Sequence, residues 1–193
     1  MVNSGRKRKM MILRIFFSIL EICMILSALS SCLVSQTSQS DEKNDYDTYV
    51  NEVRYANQNM PKTDALGDYE TFSVHRKTTK QFIWRIDTVS LQLSYSEPSF
   101  EEEIRNIEQK YTFIADSKED LLDISAYVNG YIIRIVDKDE SFDDHDFYDF
   151  PKCFMMIGIN QSTRSIIYLF HYDFDLDEID NLDEYIKKYY KLD

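Results

Sequence analysis

The sequence predicts an α+β domain, an antiparallel sheet of about five strands with helices packed on one face. Three observations carry that expectation. Apolar segments of strand length recur after residue 70, and their polar links are too short for parallel crossovers. Asn129-Gly130 sits between two apolar arms, and this dipeptide accepts positive φ at both positions of a tight hairpin turn. Three further segments space their apolar residues as helices do.

The elements follow in order. Tyr46, Tyr49, Val50, Val53 and Ala56 recur at helical spacing, and Pro61 ends the run, so residues 46–59 read as a helix. Pro61 and Gly67 make 61–68 a loop. Residues 70–77 and 82–95 read as two strands around a polar turn, "TTKQ". In the second, Phe82, Trp84 and Ile86 share one parity, while Val89, Leu91, Leu93 and Tyr95 take the other. The switch predicts a bulge near Asp87-Thr88.

"EPSFEEEIRNIEQKYTF" starts a helix, with Ser99 as cap and Glu102 completing a capping box. Glu101, Glu102 and Glu103 suit the positive end of its dipole. "ISAYVNGYIIRIVDK" reads as the Asn-Gly hairpin, and residues 137–150 as a long acidic loop. Residues 153–159 and 165–172 form a hairpin around "NQST". Ile166, Ile167, Tyr168, Leu169 and Phe170 are apolar at both parities, which marks a central strand. Residues 182–192 close the chain as a helix, with Leu182, Tyr185, Ile186 and Tyr189 on one side.

Ahead of this body lies a leader. Arg6, Lys7, Arg8 and Lys9 precede an apolar run, 15–29, which ends in small residues before Cys32. That order is the order of a secretory signal peptide, and the run is short for a membrane span. Leu29-Ser30-Ser31-Cys32 resembles the lipobox of bacterial lipoproteins. The resemblance implies that the Cys32 thiol receives a diacylglyceryl group and that cleavage makes Cys32 the new N-terminus. Glu21 departs from the pattern, since an ionisable group at mid-membrane costs roughly 2.5–3.5 kcal/mol on insertion scales. An uncleaved signal anchor, with Cys32 an ordinary thiol outside the membrane, is the alternative. The chain then divides into a signal peptide (1–31), a lipidated cysteine with a Ser/Gln/Asp-rich flexible tether (32–45) and one extracytoplasmic domain (46–193).

Charge narrows the partners. Residues 1–31 carry five Lys/Arg and one Glu, a charge of +4, which leaves −16 after residue 31 out of a total of −12. Such acidity excludes nucleic acid, whose phosphates need a basic surface. It also repels anionic headgroups, so the expected bond to the bilayer is the acylated Cys32. Cys153 is the one thiol left once the leader and Cys32 are accounted for, so no internal disulfide and no CxxC site is expected.

"YANQNMPKTDALGDY", "FPKCFMMIGIN" and "SIIYLFHYDFDLDEI" together resemble a group of uncharacterised lipoproteins of Gram-positive anaerobic bacteria. The resemblance implies a lipoprotein of unknown function and carries over no site.

Three constellations could carry chemistry. In "DFDLDEIDNLDE", Asp173, Asp175, Asp177 and Glu184 have the spacing of calcium-loop ligands. The sixth place is Glu178 where a sharp turn needs Gly, and the same residues also read as a strand exit with Asn181 capping a helix. Asp143, Asp144, His145, Asp146 and Asp149 could hold a hard cation or simply form a solvated run. Cys153 and His171 sit at opposite ends of the last hairpin and would make a thiolate–imidazole pair if they faced each other across it, while a register shift of one residue would put them on opposite faces. His75, beside Arg76 and Lys77, reads as a surface residue. No phosphate loop, GxSxG or HExxH occurs.

The expected protein is therefore a lipoprotein anchored to the cell membrane on its extracytoplasmic face. It serves as a non-catalytic module that contacts an extracytoplasmic protein or a small ligand. The competing classes are a hydrolase using Cys153 and His171 and a surface module that binds calcium weakly through 173–184; no other cofactor is expected.

Overall fold

Pairing of extended segments builds one antiparallel sheet of eight strands, ordered β1-β2-β3-β8-β7-β6-β4, with β5 also paired to β6. The computed structural model describes residues 33–81, 84–114, 125–137, 152–173 and 181–192. The strands are β1 (Leu33–Ser40), β2 (Thr71–Gln81), β3 (Trp84–Ser94), β4 (Thr112–Phe113), β5 (Ser125–Val128), β6 (Tyr131–Asp137), β7 (Lys152–Asn160) and β8 (Ser165–Asp173). Four short helices accompany them: α1 (Lys43–Glu52), α2 (Ala56–Asn59), α3 (Glu97–Lys110) and α4 (Leu182–Tyr189).

The expected fold class needs correcting in two respects. The sheet has eight strands, not about five, and the helices do not share one face. Side chains of alternate parity on β8 show the division. Ile166, Tyr168, Phe170 and Tyr172 join a core with Tyr46, Val50 and Val53 of α1 and its exit, Ala56 of α2, and Phe100 and Ile107 of α3. Ile167 and Leu169 point the other way, into a second core with Leu182 and Ile186 of α4 and with Tyr190 and Leu192 beyond it. Every residue of β8 is buried because both faces of that strand are covered.

Several elements match the sequence. Asn129 and Gly130 have φ of 51° and 83°, so the β5–β6 hairpin turns with positive φ at both central residues. A Cβ on Gly130 would also meet Asn160 Nδ2 at 2.7 Å. Asn160 accepts from the Ser162 and Thr163 amides and donates to Asn129 O, tying the β7–β8 turn to the β5–β6 turn. The β7–β8 hairpin falls where the sequence places it.

Others differ for physical reasons. "TTKQ" is strand: Thr78 pairs with Asp87 and Gln81 with Trp84, so the chain reverses after Gln81. No bulge interrupts β3, whose register with β2 is continuous from Ser94 to Trp84. The odd parity at Asp87 is accommodated by pairing instead. The buried Asp87 carboxylate accepts from Thr78 Oγ1 and pairs with Arg85 Nε. The first helix breaks into α1 and α2 at Tyr55, whose φ is 65°. α3 begins at Glu97 behind Ser96, with Pro98 in its first turn, three residues ahead of the expected Ser99 cap. Leu33–Ser40, expected in the flexible tether, is the edge strand β1, registered with β2 from Leu33↔Gln81 to Ser40↔Val74. Edge strands need no apolar alternation, because one edge and much of each face meet water.

Candidate functional site

The two faces are covered to different degrees. α4 is amphipathic over its eight residues: Leu182 and Ile186 pack down with Tyr190, while Lys187 and Lys188 stay exposed in its last turn. Asn181 Oδ1 accepts from the Glu184 amide and caps the helix start. A helix this short cannot cover the whole sheet face. It packs on β5, lies over His171 of β8 and ends beside Lys77 of β2.

Where α4 ends, a cleft of about 330 Å³ opens between it and the odd-numbered residues of β2. Lys77, Lys187, Lys188 and Lys191 line it, with Thr88 and Ser90 of β3 forming part of its floor. Among the described residues, the lining contains no Asp or Glu. Arg76 also borders the cleft, but its guanidinium reaches the opposite face, where it pairs with Glu52. Lys77 Nζ donates to Lys188 O at 3.3 Å, at the carbonyl end of α4, and lies 5.8 Å from the Tyr189 ring centre. Lys188 Nζ approaches the same ring at 4.8 Å. Lysines in a last helical turn favour the helix dipole, which accounts for Lys187 and Lys188 taken alone. It does not account for Lys77, which comes from a strand, or for Lys191, which lies past the helix. Four lysines from three segments of a chain with net charge −12 thus line one cleft together with the hydroxyl-bearing Thr37, Thr88 and Ser90. Such a lining suits a carboxylate or phosphate group.

Beneath the helix sits His171, opposite Thr88 in the β3–β8 register and fully buried. Its Nε2 shares a hydrogen bond with Tyr185 Oη, and Asp173 Oδ2 lies 3.9 Å away. The rings of Phe154, Tyr185 and Tyr189 surround it at 4.9–5.3 Å. Burial holds the His171 pKa below its ordinary value, against the opposing pull of Asp173 and Asp87. Burial also raises the Tyr185 hydroxyl, helped by the charge of Asp173. A neutral imidazole packed among rings supports α4 and offers no open edge to a substrate.

The sequence-predicted residues are placed as follows. Cys153 pairs with Tyr172 and His171 with Phe154, so adjacent positions put the thiol and the imidazole on opposite faces. Cys153 packs at the edge of the three-helix core, whereas His171 lies under α4. The proposed thiolate–imidazole pair is therefore not formed. Asp173 ends β8 and Glu184 lies in the first turn of α4, its amide held by Asn181. Asp175 and Asp177 lie outside the described residues, as do Asp143, Asp144, His145, Asp146, Asp149 and Cys32. Among the described residues, no group of three or more His, Cys, Asp or Glu is arranged to hold a metal ion. His75 is half-buried and borders the cleft, where the sequence suggested an ordinary surface position. Among the described residues, no helix is long and apolar enough to cross a membrane.

The lysine cleft escaped sequence reading because its parts are some 110 residues apart. The available hint was the odd parity shared by His75 and Lys77, together with "KKYYK" near the chain end. No family model, curated protein or solved structure matches this chain.

Proposed function

We propose that this protein is a lipid-anchored extracytoplasmic binding module that takes an anionic small ligand in the lysine cleft and does no covalent chemistry on it. The observation that carries the reading is the convergence of Lys77, Lys187, Lys188 and Lys191 on one 330 Å³ cleft in an otherwise acidic chain. The order of the leader and the Leu29-Ser30-Ser31-Cys32 motif support the anchor and the extracytoplasmic address. His171, hydrogen-bonded to Tyr185, is sealed beneath α4 and closed to a ligand in the cleft.

Calorimetric titration with inorganic phosphate and with citrate tests the cleft. The native protein should bind one of them with a Kd of about 1 mM or tighter. Replacing Lys77→Gln together with Lys188→Gln should weaken binding at least about tenfold. Absence of heat for both anions, or equal binding by the double variant, would contradict the reading. Mass spectrometry of the exported protein tests the anchor: Cys32 should be the first residue and acylated, and any other start or a bare cysteine counts against it.

A further inference from the structure

The chain leaves the undescribed leader and enters β1 directly at Leu33, one residue after Cys32. Leu33 pairs with Gln81, and Gln81 pairs with Trp84. The next row is Val34, Lys80 and Arg85. Two strand spacings of roughly 4.8 Å put the Trp84 backbone only about 10 Å from that of Leu33. An anchor at Cys32 therefore delivers this end of the sheet to the bilayer with almost no spacer.

The side chains at this end suit that position. Trp84 is 43% exposed and Val34 51%, two of the four large exposed apolar side chains among the described residues. Lys80, paired with Val34 on the face of the sheet opposite to Trp84, is exposed as well. Trp84 is the chain's sole tryptophan. An indole prefers the headgroup region, where its ring is shielded and its N–H stays wet, and a lysine at the same end of the sheet meets anionic headgroups from the other face. Arg85 is held by Asp87, so Lys80 supplies the outward charge. Isolated exposed apolar residues are ordinary on proteins. Trp84 and Val34 differ because they stand one on each face at the end of the sheet where the chain continues into the acyl anchor.

We propose that the end of the β1–β2–β3 ribbon carrying Val34, Lys80 and Trp84 is a membrane-docking edge, seated on the same lipid surface that holds Cys32. The inference rests on the proposed acylation of Cys32. It replaces a body swinging on a tether with a body held end-on by a fatty-acyl anchor and an indole contact.

Trp84 fluorescence reports the contact without a label. The protein is expressed with its own leader in a lipoprotein-processing bacterium and purified. It is then reconstituted into phosphatidylethanolamine/phosphatidylglycerol vesicles containing lipids brominated near the headgroup, and its N-terminus is checked by mass spectrometry. A distal reporter, Ile132→Trp in a Trp84→Phe background, provides the control. Ile132 is 54% exposed and aligns through β7 and β8 with Leu93, nine residues and about 30 Å along β3 from Trp84. Trp84 should be quenched at least threefold more than the distal tryptophan, and Lys80→Glu should reduce that quenching by half or more in the anionic vesicles. If Cys32 is acylated and Trp84 is quenched no more than the distal reporter, the docking edge is wrong while the anchor stands. If Cys32 is not acylated, the anchor reading falls, and Trp84 quenching by added vesicles then decides the edge by itself: quenching sustains it and none overturns it.

Discussion

The two faces of the sheet are built to different standards of closure. α1, α2 and α3 cover most of one of them, and even its buried charge is provided for. Glu103, 6% exposed, accepts from Tyr168 Oη at 2.8 Å and lies 3.4 Å from Asn106 Nδ2. Tyr46 Oη donates to Pro61 O on the same side, anchoring the loop after α2. The other face has one eight-residue helix. That helix buries its apolar stripe, leaves a lysine-lined cleft at its C-terminal end, and rests on a histidine boxed in by rings. The contrast teaches where binding can occur. The three-helix side keeps a cleft of similar size, about 360 Å³, but Asp47 and Asp64 line it beside Lys62, whereas four lysines and, among the described residues, no carboxylate line the cleft at the end of α4, so the two sides differ in charge rather than in space.

Removing one hydroxyl from each face should show the difference most strongly. Tyr168→Phe takes the buried donor from Glu103 and should cost about 2–3 kcal/mol in denaturant unfolding, as expected for a hydrogen bond to a buried carboxylate. Tyr185→Phe removes the partner of a neutral imidazole and should cost only about 1 kcal/mol. Equal losses would mean that the faces are equally tight. The smallest expected effect is electrostatic. His171 is buried, with its pKa below the ordinary 6.5, so the unfolded chain binds more protons than the folded one in that range. Stability should therefore be fully present above pH 6.5 and fall as the pH drops through and below it. His171→Phe should flatten that slope whatever it does to the absolute stability, and an unchanged slope would remove His171 as its source.

Much of the fold was legible from local chemistry. The Asn129-Gly130 turn follows from the conformational freedom of those two residues, and the β7–β8 hairpin from its bounded apolar runs. Ile166 to Phe170 rightly read as a central strand, and its two-sided apolarity already implied cover on both faces; the expectation of helices on one face overlooked that. β1 was hidden because "LVSQTSQS" lacks an apolar face, and only pairing with β2 makes it a strand. "TTKQ" misled as a turn because polar residues on an edge-side hairpin arm look like loop. The candidate site was the least legible part. Whether Cys153 meets His171 depends on single-residue register, and the cleft exists only once residue 77 meets residues 187–191.

Native-state hydrogen exchange, with and without inorganic phosphate, tests the contrast between the faces most directly. The α4 amides should exchange well ahead of those of α3, and phosphate should slow α4 severalfold while leaving α1 and α3 unchanged. An α4 as protected as α3 and indifferent to phosphate would contradict both the open face and the anion cleft.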